Sequence, residues 1–209
     1  MTYEPNSYWR AVGKREPGIM DPRHPKGRGK TKRNIEAQEL LLPAVIQSLN
    51  PQSVFEVGCG WGRMTRLISD IQSIKQYDAI DLSAERLQNA KLNAKMDVHF
   101  YEGDFMEYDP APYAYDVVFA CEVLMHIPPA TIKDFMAKMG SISKGYVVNL
   151  DYWEASPIPL EPHNFNHPYM DIYGALGAKT VTQTQLRNQS YWRGEERFPQ
   201  RIFVATVKA

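Results

Sequence analysis

A short apolar strand runs directly into a glycine turn and then a helix, Val54-Phe-Glu-Val-Gly-Cys-Gly-Trp-Gly-Arg63. Glycines at 58, 60 and 62 leave bare backbone where a ligand has to approach closely. In open α/β sheets this approach occurs at the carboxyl ends of the strands. The chain is therefore expected to fold around an α/β sheet with its ligand at this turn.

The spacing of the glycines, G-x-G-x-G, separates this turn from two common nucleotide loops. A dinucleotide fingerprint is G-x-G-x-x-G, and its third glycine would fall on Arg63, a bulky cation at a close-packing position. No Gly-Lys-Ser/Thr follows the turn, so it is not a phosphate-binding P-loop either. Glu56, just before the turn, suits a ligand that carries positive charge.

Apolar runs and helical periodicity alternate along the rest of the chain, which predicts a doubly wound, mostly parallel α/β sheet. The last two strands have no crossover helix between them, so we expect an antiparallel pair at that edge. The predicted strands are 53–57, 76–81, 98–101, 115–121, 145–150, 179–185 and 201–207, and the predicted helices are 34–49, 63–71, 83–94, 129–139 and 166–176.

The net charge of zero over 209 residues conceals an asymmetry. Residues 1–34 hold nine basic against three acidic side chains, and the remainder holds 15 against 21. We predict two parts, a basic Pro/Gly-rich arm or lid (1–33) and a main α/β domain (34–209). The arm is either a solvated terminus or a lid that offers Arg or Lys to an acidic ligand. Zero net charge disfavours a general nucleic-acid binder.

The cysteine content and the hydropathy of the chain indicate the cellular compartment that we expect for the protein. Two cysteines, Cys59 and Cys121, are too few for a disulfide framework, so we interpret both as free thiols. The N-terminal residues lack the apolar segment of a signal peptide, and no run approaches the ~18 apolar residues of a membrane helix. A cytoplasmic protein with no membrane partner is expected.

An acidic residue ends the second predicted strand. Asp81 follows Gly58 by 23 positions, where a carboxylate can accept both hydroxyls of a ribose. Several nucleoside-cofactor folds share that spacing. The absence of a phosphate-binding loop, together with Glu56, favours a positively charged nucleoside ligand among them.

Residues 40–208 resemble the class I S-adenosylmethionine-dependent methyltransferases in four motifs, which occur in the same order and each at the end of a strand. The resemblance implies a seven-stranded sheet with the last strand antiparallel, and S-adenosylmethionine as the cofactor. One departure is Ser143-Lys144-Gly145, where many relatives have Lys-Pro-Gly-Gly. The motifs are Glu56–Gly62, Asp81-Leu82, Gly103-Asp104-Phe105 and Tyr115–Ile127; the cofactor-binding residues they imply are Glu56, Gly58, Cys59, Gly60, Gly62, Asp81, Leu82, Asp104, Phe105 and Cys121.

Histidines and aromatic residues supply the other candidates. His126 follows the fourth strand and is the candidate general base, with ordering of the Pro128-Pro129 helix start as the alternative. His163 and His167 have a spacing that can bind zinc, but they lack an accompanying carboxylate or cysteine pair, so we predict substrate contact or helix capping and no metal site. The remaining substrate-pocket candidates are Tyr8, Trp9, Tyr152 and Trp153, with a role as hydrophobic cover as the alternative for the last two.

The favoured function is methyl transfer to an oxygen or nitrogen of a small-molecule acceptor, because no recognition domain is appended. The alternative is a nucleic-acid or protein methyltransferase that uses the basic arm. Against it, Cys121-Glu122-Val123-Leu124 differs from the Asn/Asp-Pro-Pro-aromatic signature of enzymes that methylate amino groups of bases. A third hypothesis is a nucleotide-binding module or nicotinamide oxidoreductase on the same sheet.

Overall fold

The computed structural model describes residues 3–15, 32–154, 162–186 and 200–207. Helices and strands alternate through most of this part, as the sequence predicts. The helices are α1 (Pro5–Arg15), α2 (Lys32–Ser48), α3 (Arg63–Ile68), α4 (Ala84–Asn93), α5 (Ile132–Ile142) and α6 (Tyr169–Ala175). The strands are β1 (Ser53–Val57), β2 (Gln76–Asp81), β3 (His99–Glu102), β4 (Tyr115–Cys121), β5 (Ser143–Tyr152), β6 (Thr180–Gln185) and β7 (Gln200–Thr206).

One seven-stranded sheet carries the fold, in the order β3-β2-β1-β4-β5-β7-β6. The first five strands pair in parallel, and β7 runs antiparallel to both β5 and β6. The predicted doubly wound sheet with an antiparallel last strand is confirmed. Strand β1 is buried along its whole length because both faces of the sheet are covered by helices.

Two apolar cores lie on opposite faces of the sheet. On one face Leu42 and Ile46 of α2 pack with buried residues of α3 and α4. On the other face the buried side of α5 packs with Tyr169 and Tyr173 of α6. Pro43 lies inside α2, and the helix continues through it to Ser48.

Most predicted elements are present with ends shifted by one to three residues. Ser83 caps α4, its hydroxyl accepting a hydrogen bond from the Arg86 amide. Helix α6 begins at Tyr169 instead of Asn166, after Pro168. The sequence analysis predicted no helix within residues 1–33, and the structure has one there: Pro5–Arg15 is helical, and Gly13 is buried against the start of α4.

The strand order places the chain's ligand site. From β1 the chain winds outward to β2 and β3, and it then returns to β4 on the other side of β1. The loops that follow β1 and β4 therefore diverge and leave a crevice at the carboxyl ends of the strands. The glycine turn that follows β1 opens into this crevice.

Candidate functional site

A cavity of about 390 Å³ occupies the crevice, and four strand ends contribute to its walls. This volume lies in the range of small-molecule sites. Helix α1 covers one side of it, and the start of α5 closes another. The strand-end residues that line it are Val57, Gly58, Ile80, Asp81, Leu82, Gly103, Asp104, Phe105, Glu122 and Val123.

The glycine turn is shaped by two close approaches. Gly58 has a φ of +68°, and a Cβ there would lie 2.5 Å from Cγ2 of Val123, so only glycine allows the loops after β1 and β4 to meet. Gly62 has a φ of +86°, and its Cβ would lie 2.6 Å from Cα of Ala90 in α4. Of the predicted glycines, Gly58 lines the cavity, whereas Gly60 and Gly62 shape the turn behind it.

Asp81 at the end of β2 is fixed by backbone amides. The Gly60 amide donates to its Oδ2 at 2.8 Å, and the Ser83 amide donates to its Oδ1 at 2.9 Å. Burial raises the pKa of Asp81, and these hydrogen bonds oppose the rise. The carboxylate is therefore oriented toward the cavity with lone pairs left for hydroxyl donors.

Asp104 and Phe105 follow β3 and lie on the same side of the cavity as Asp81. Asp104 accepts hydrogen bonds from the Met106 amide at 2.8 Å and from Nδ2 of Asn6 at 2.7 Å. The Phe105 ring is buried and packs on Phe135 with centroids 5.0 Å apart. This wall combines acceptor oxygens with an apolar surface.

Glu56 lies behind the turn and does not line the cavity. Its Oε2 accepts hydrogen bonds from Thr65 at 2.5 Å and from Tyr77 at 2.7 Å. Burial raises its pKa to about 7, since water no longer solvates the charged form. Through these hydrogen bonds Glu56 of β1 links its strand to α3 and β2. Its contact with the cofactor remains a prediction.

Both cysteines are free thiols, as predicted, and neither lines the cavity. Burial raises the pKa of each thiol. Nη2 of Arg63 donates to Cys121 Sγ at 3.6 Å and to Oε2 of Glu122 at 3.0 Å. Cys59 and Cys121 therefore pack around the site, and their contact with a ligand remains a prediction.

Glu122 is a lining residue that the sequence analysis did not select. Its φ of 58° is rare for a residue with a side chain, and its Oε1 accepts a hydrogen bond from Gln200 at 2.7 Å. Strained backbone next to a ligand cavity is typical of functional loops. The sequence contains no turn signal at this position that could have revealed it.

His126 lies in the wall of the cavity, as its position after β4 suggested. Its Nδ1 lies 3.0 Å from the His163 carbonyl oxygen, and because a carbonyl only accepts, Nδ1 carries the proton. Burial lowers the pKa of His126 to about 4. The ring is therefore neutral at pH 7 and only a weak base.

The turn that carries His126 (Leu124–His126) is supported from beneath by buried polar groups. Oδ1 of Asp151, at the end of β5, accepts a hydrogen bond from the Met125 amide at 3.2 Å. Nε2 of His167 lies 3.0 Å from the Ile127 carbonyl oxygen. Burial raises the pKa of Asp151 to about 8. His167 is thus a buried support, and it does not line the cavity.

Aromatic residues of the N-terminal segment cover the His126 side of the cavity. The Trp9 and His126 rings lie 4.4 Å apart, and the Tyr8 and His163 rings are stacked at 4.8 Å. The Tyr3 hydroxyl donates to the His126 carbonyl oxygen at 2.8 Å. Of the predicted pocket residues, Trp9 lines the cavity, whereas Tyr8 and His163 are not among its lining residues.

Tyr152 and Trp153 lie outside the cavity, contrary to their selection as pocket candidates. The Trp153 ring packs against the core and carries the Arg201 guanidinium 3.4 Å from its centroid. Strand β5 extends to Tyr152 to pair with β7, which takes these residues away from the crevice. This placement agrees with the alternative role as hydrophobic cover, and their contact with a substrate remains a prediction.

Most lining residues from outside the motifs come from α1 and α5. They include Glu4, Pro5 and Asn6 of the N-terminal segment and Thr131, Asp134 and Phe135 near the start of α5. No local pattern marks these positions, because their place depends on how the helices pack. Arg86, on the first turn of α4, also lines the cavity.

The described residues contain neither a cluster of metal-ligating side chains nor a membrane-spanning helix. No group of three or more His, Cys, Asp or Glu there is arranged to hold a metal ion. The His163 ring stacks on Tyr8, whereas the His167 ring contacts the Ile127 carbonyl oxygen. No described helix is long and apolar enough to cross a membrane.

Known proteins resemble this chain over part of its sequence and in its fold. A family model described as "Methyltransferase domain" matches residues 54–144. No curated protein sequence matches the chain significantly. The magnesium protoporphyrin IX methyltransferase ChlM from Synechocystis PCC 6803, crystallised with SAM, has a TM-score of 0.74 at 15% identity, covering 100% of this chain and 99% of its own.

Two further structures show the same architecture. The DhpI–SAH complex has a TM-score of 0.67 at 19% identity, covering 97% of this chain and 94% of DhpI. The methyltransferase domain of bacterial CtHen1-C has a TM-score of 0.66 at 18% identity, covering 84% of this chain and 100% of its own. At these identities the likeness concerns the fold.

Proposed function

We propose that this chain is a class I S-adenosylmethionine-dependent methyltransferase that moves a methyl group to a nitrogen or oxygen of a small-molecule acceptor, which the matched methyltransferase domain and the shared fold support. The observation that carries the proposal is the convergence of Gly58, Asp81, Leu82, Asp104 and Phe105 on one cavity. These residues come from three different strand ends. Local sequence alone does not bring them together.

The cavity suits a nucleoside that carries positive charge. Asp81 offers oriented carboxylate oxygens for the two ribose hydroxyls, and Leu82, Asp104 and Phe105 would hold the adenine. The described lining residues include the carboxylates Glu4, Asp81, Asp104, Glu122 and Asp134 against the guanidinium of Arg86. This balance favours a sulfonium cofactor over a dinucleotide with its two phosphates.

When bound, S-adenosylmethionine supplies a methyl group on sulfur that is already electrophilic. The protein's part is to hold the acceptor atom in line and to exclude water. We assign His126 to the acceptor side, where its neutral ring can orient the acceptor and take a proton. Because its pKa is about 4, it suits an atom that needs little activation, such as a neutral amine nitrogen or an ionised oxygen.

The N-terminal part is proposed to act as a lid. Residues 3–15 cover the cavity, and Trp9 covers His126. Most of the basic residues that suggested an acidic acceptor lie between 16 and 33. They fall outside the residues whose side chains are described, so an acidic acceptor remains a prediction.

The cofactor is tested by thermal denaturation with S-adenosylhomocysteine or NAD. We expect S-adenosylhomocysteine at 100 times its Kd to stabilise the fold by about 2.7 kcal/mol, because it binds only the native state. NAD is expected to have no effect. Stabilisation by NAD and not by S-adenosylhomocysteine would overturn the assignment.

The acceptor class is tested with S-adenosylmethionine labelled in its methyl group. The enzyme is incubated with pools of small amines, phenols and carboxylic acids, and in parallel with RNA, DNA and protein. Label in a small-molecule pool supports the proposal. Label confined to a polymer, with binding that weakens steeply with salt, would support the nucleic-acid or protein alternative instead.

A further inference from the structure

Glu122 is a carboxylate in the cavity wall that is held from behind by two donors. Nε2 of Gln200 donates to its Oε1 at 2.7 Å, and Nη2 of Arg63 donates to its Oε2 at 3.0 Å. Glu122 lines the cavity, whereas neither donor residue does. Each carboxylate oxygen keeps a lone pair after these hydrogen bonds. The side chain is 29% exposed, and it therefore presents fixed acceptor oxygens to the cavity.

The orientation of this carboxylate is set by elements outside the cavity. Nε2 of Gln38, on α2, donates to Oε1 of Gln200 at 2.6 Å. Because Oε1 accepts there, the amide nitrogen of Gln200 is the atom that faces Glu122. Both glutamines are buried. The carboxylate is therefore oriented before any ligand binds.

Glu122 lies in the part of the cavity that the nucleoside leaves free. Asp81 and Asp104, the acceptors proposed for the nucleoside, stand at the ends of the neighbouring strands β2 and β3. The opposite wall is formed by the loops after β1 and β4, which meet where a Cβ on Gly58 would lie 2.5 Å from Cγ2 of Val123. A nucleoside held by the two aspartates leaves the space beside Glu122 to the sulfur and the acceptor atom.

The side chains around this space carry negative charge. Besides Glu122, the carboxylates of Glu4 and Asp134 line the cavity and are not assigned to the nucleoside. The lining cation Arg86 lies near Asp81, where its charge opposes the rise that burial causes in the pKa of Asp81. An acceptor atom beside Glu122 is therefore in a negative potential.

This potential distinguishes nitrogen from oxygen acceptors. The lone pair of a neutral nitrogen forms the N–CH₃ bond as the S–CH₃ bond breaks with its electron pair left on sulfur. The positive charge thereby moves from sulfur to nitrogen, and a nitrogen that carries a proton then releases it to water. A fixed carboxylate beside that nitrogen stabilises the developing charge. An ionised oxygen would bring negative charge to the same place and be repelled.

We propose that the acceptor atom is an aromatic nitrogen that is neutral at pH 7, and that Glu122 is the carboxylate that stabilises the positive charge developing on it. This inference rests on the proposed function, because it requires S-adenosylmethionine in the cavity. An aliphatic amine would bind as its ammonium form, which has no lone pair, and His126 is too weak a base to deprotonate it. The rings of Trp9 and Phe135 in the wall suit a flat aromatic acceptor.

The role of Glu122 is tested with two cofactor analogues that differ in charge at the reacting centre. S-adenosylhomocysteine has an uncharged sulfur, and in sinefungin a carbon that bears a protonated amino group replaces the methylsulfonium. The Kd of each for the full-length protein is measured by calorimetry for the wild type, Glu122→Gln and Glu107→Gln. Glu107 is exposed and does not line the cavity. Circular dichroism of each variant establishes that the fold is retained.

We expect the wild type and Glu107→Gln to bind sinefungin at least fivefold more tightly than S-adenosylhomocysteine. In Glu122→Gln this preference should fall below twofold. A preference that is unchanged in Glu122→Gln would overturn the inference, even if both ligands bind more weakly, since Glu122 would then only support the loop.

The acceptor atom is tested with methyl-labelled S-adenosylmethionine and separate pools of aromatic nitrogen compounds, aliphatic amines, phenols and carboxylic acids. The labelled atom of the product is identified by NMR. Label on an aromatic nitrogen supports the inference, and label on an oxygen or an aliphatic amine overturns it. Failure of the wild type to bind S-adenosylhomocysteine is a separate outcome, which refutes the proposed function itself.

Discussion

Asp81 shows how a single residue joins the turn after β1 to the end of β2. Its two carboxylate oxygens accept from the Gly60 and Ser83 amides and still face the cavity. Replacing it removes two hydrogen bonds to backbone amides and the acceptor proposed for the ribose. Cofactor binding and loop geometry therefore depend on the same side chain.

We predict that Asp81→Ala weakens binding of S-adenosylhomocysteine at least tenfold, since a hydrogen bond to a charged group contributes about 1.5–3 kcal/mol. The Kd is measured by calorimetry. Asp97→Ala, at an exposed position that does not line the cavity, is the control and should bind as the wild type does. An unchanged Kd for Asp81→Ala would contradict the ribose assignment.

Glu56 is buried without a cationic hydrogen-bond partner among the described residues, and its pKa is raised to about 7. Its pKa in the unfolded chain is near 4.5, so the folded state binds this proton more tightly. The associated stabilisation is complete below pH 4.5 and is lost as the pH rises to about 7.

We predict that Glu56→Gln flattens the fall in unfolding free energy between pH 5 and pH 8. Glutamine has nearly the same shape, and its carbonyl oxygen can accept from Thr65 and Tyr77. Urea denaturation across this pH range measures the slope for both proteins. Equal slopes would show that Glu56 does not titrate in the fold as described.

At the scale of elements, the packing of α3 against α4 depends on Gly62. Gly62 immediately precedes α3 and has a positive φ. Because it has no side chain, Ala90 of α4 can approach it closely. An alanine at 62 would meet backbone, which cannot rotate away. The glycine is therefore required both by conformation and by helix packing.

We predict that Gly62→Ala lowers the unfolding free energy by about 2–4 kcal/mol, because left-handed strain and overpacking add. Gly174→Ala is the matched control, since Gly174 lies in α6 with nothing within 4 Å of an added Cβ. It should be neutral or slightly stabilising. Both are measured by urea denaturation, and a neutral Gly62→Ala would refute the packing argument.

The turn after β4 is supported by several elements that are distant in sequence. Asp151 of β5 binds its Met125 amide, His167 contacts its Ile127 carbonyl oxygen, and Tyr3 of the N-terminus binds the His126 carbonyl oxygen. None of these contacts lies within ten positions of the turn in sequence. The placement of His126 is consequently a property of the assembled sheet.

At the scale of the whole molecule, the N-terminal segment joins the two sides of the cavity. It reaches Leu82 and Asp104 on one side and His126 and His163 on the other. A substitution in this segment should therefore change the environment of His126 on the acceptor side of the cavity. The burial that lowers the pKa of His126 depends in part on the cover that Trp9 provides.

We predict that Trp9→Ala raises the pKa of His126 from about 4 toward its ordinary value of 6.5, because water then solvates the imidazolium. Proton NMR of the His126 ring as a function of pH measures the change. Lys14→Ala should leave the titration as in the wild type. An unchanged pKa in Trp9→Ala would show that the lid does not control this site.

Local patterns in the sequence predicted the sheet, its antiparallel edge and the strand-end residues. Gly58, Asp81 and Asp104 could be identified because each belongs to a short motif beside an apolar strand. Asn6 and Asp134 could not, since nothing in their immediate neighbours distinguishes them, and Glu122 lies in the fourth motif but was not selected. Tyr152 and Trp153 follow a strand in the same way as the motif residues, yet β5 carries them out of the crevice.

The sequence by itself determined the order of strands and helices and the glycine turn, because hydrophobic periodicity and glycine conformation are local properties. Only the tertiary structure decided that α1 forms a wall of the cavity and that Asn6 meets Asp104, 98 positions away. It also decided the neutral state of His126. The pKa of a side chain depends on everything that excludes water from it, and that surrounding exists only once distant segments have packed.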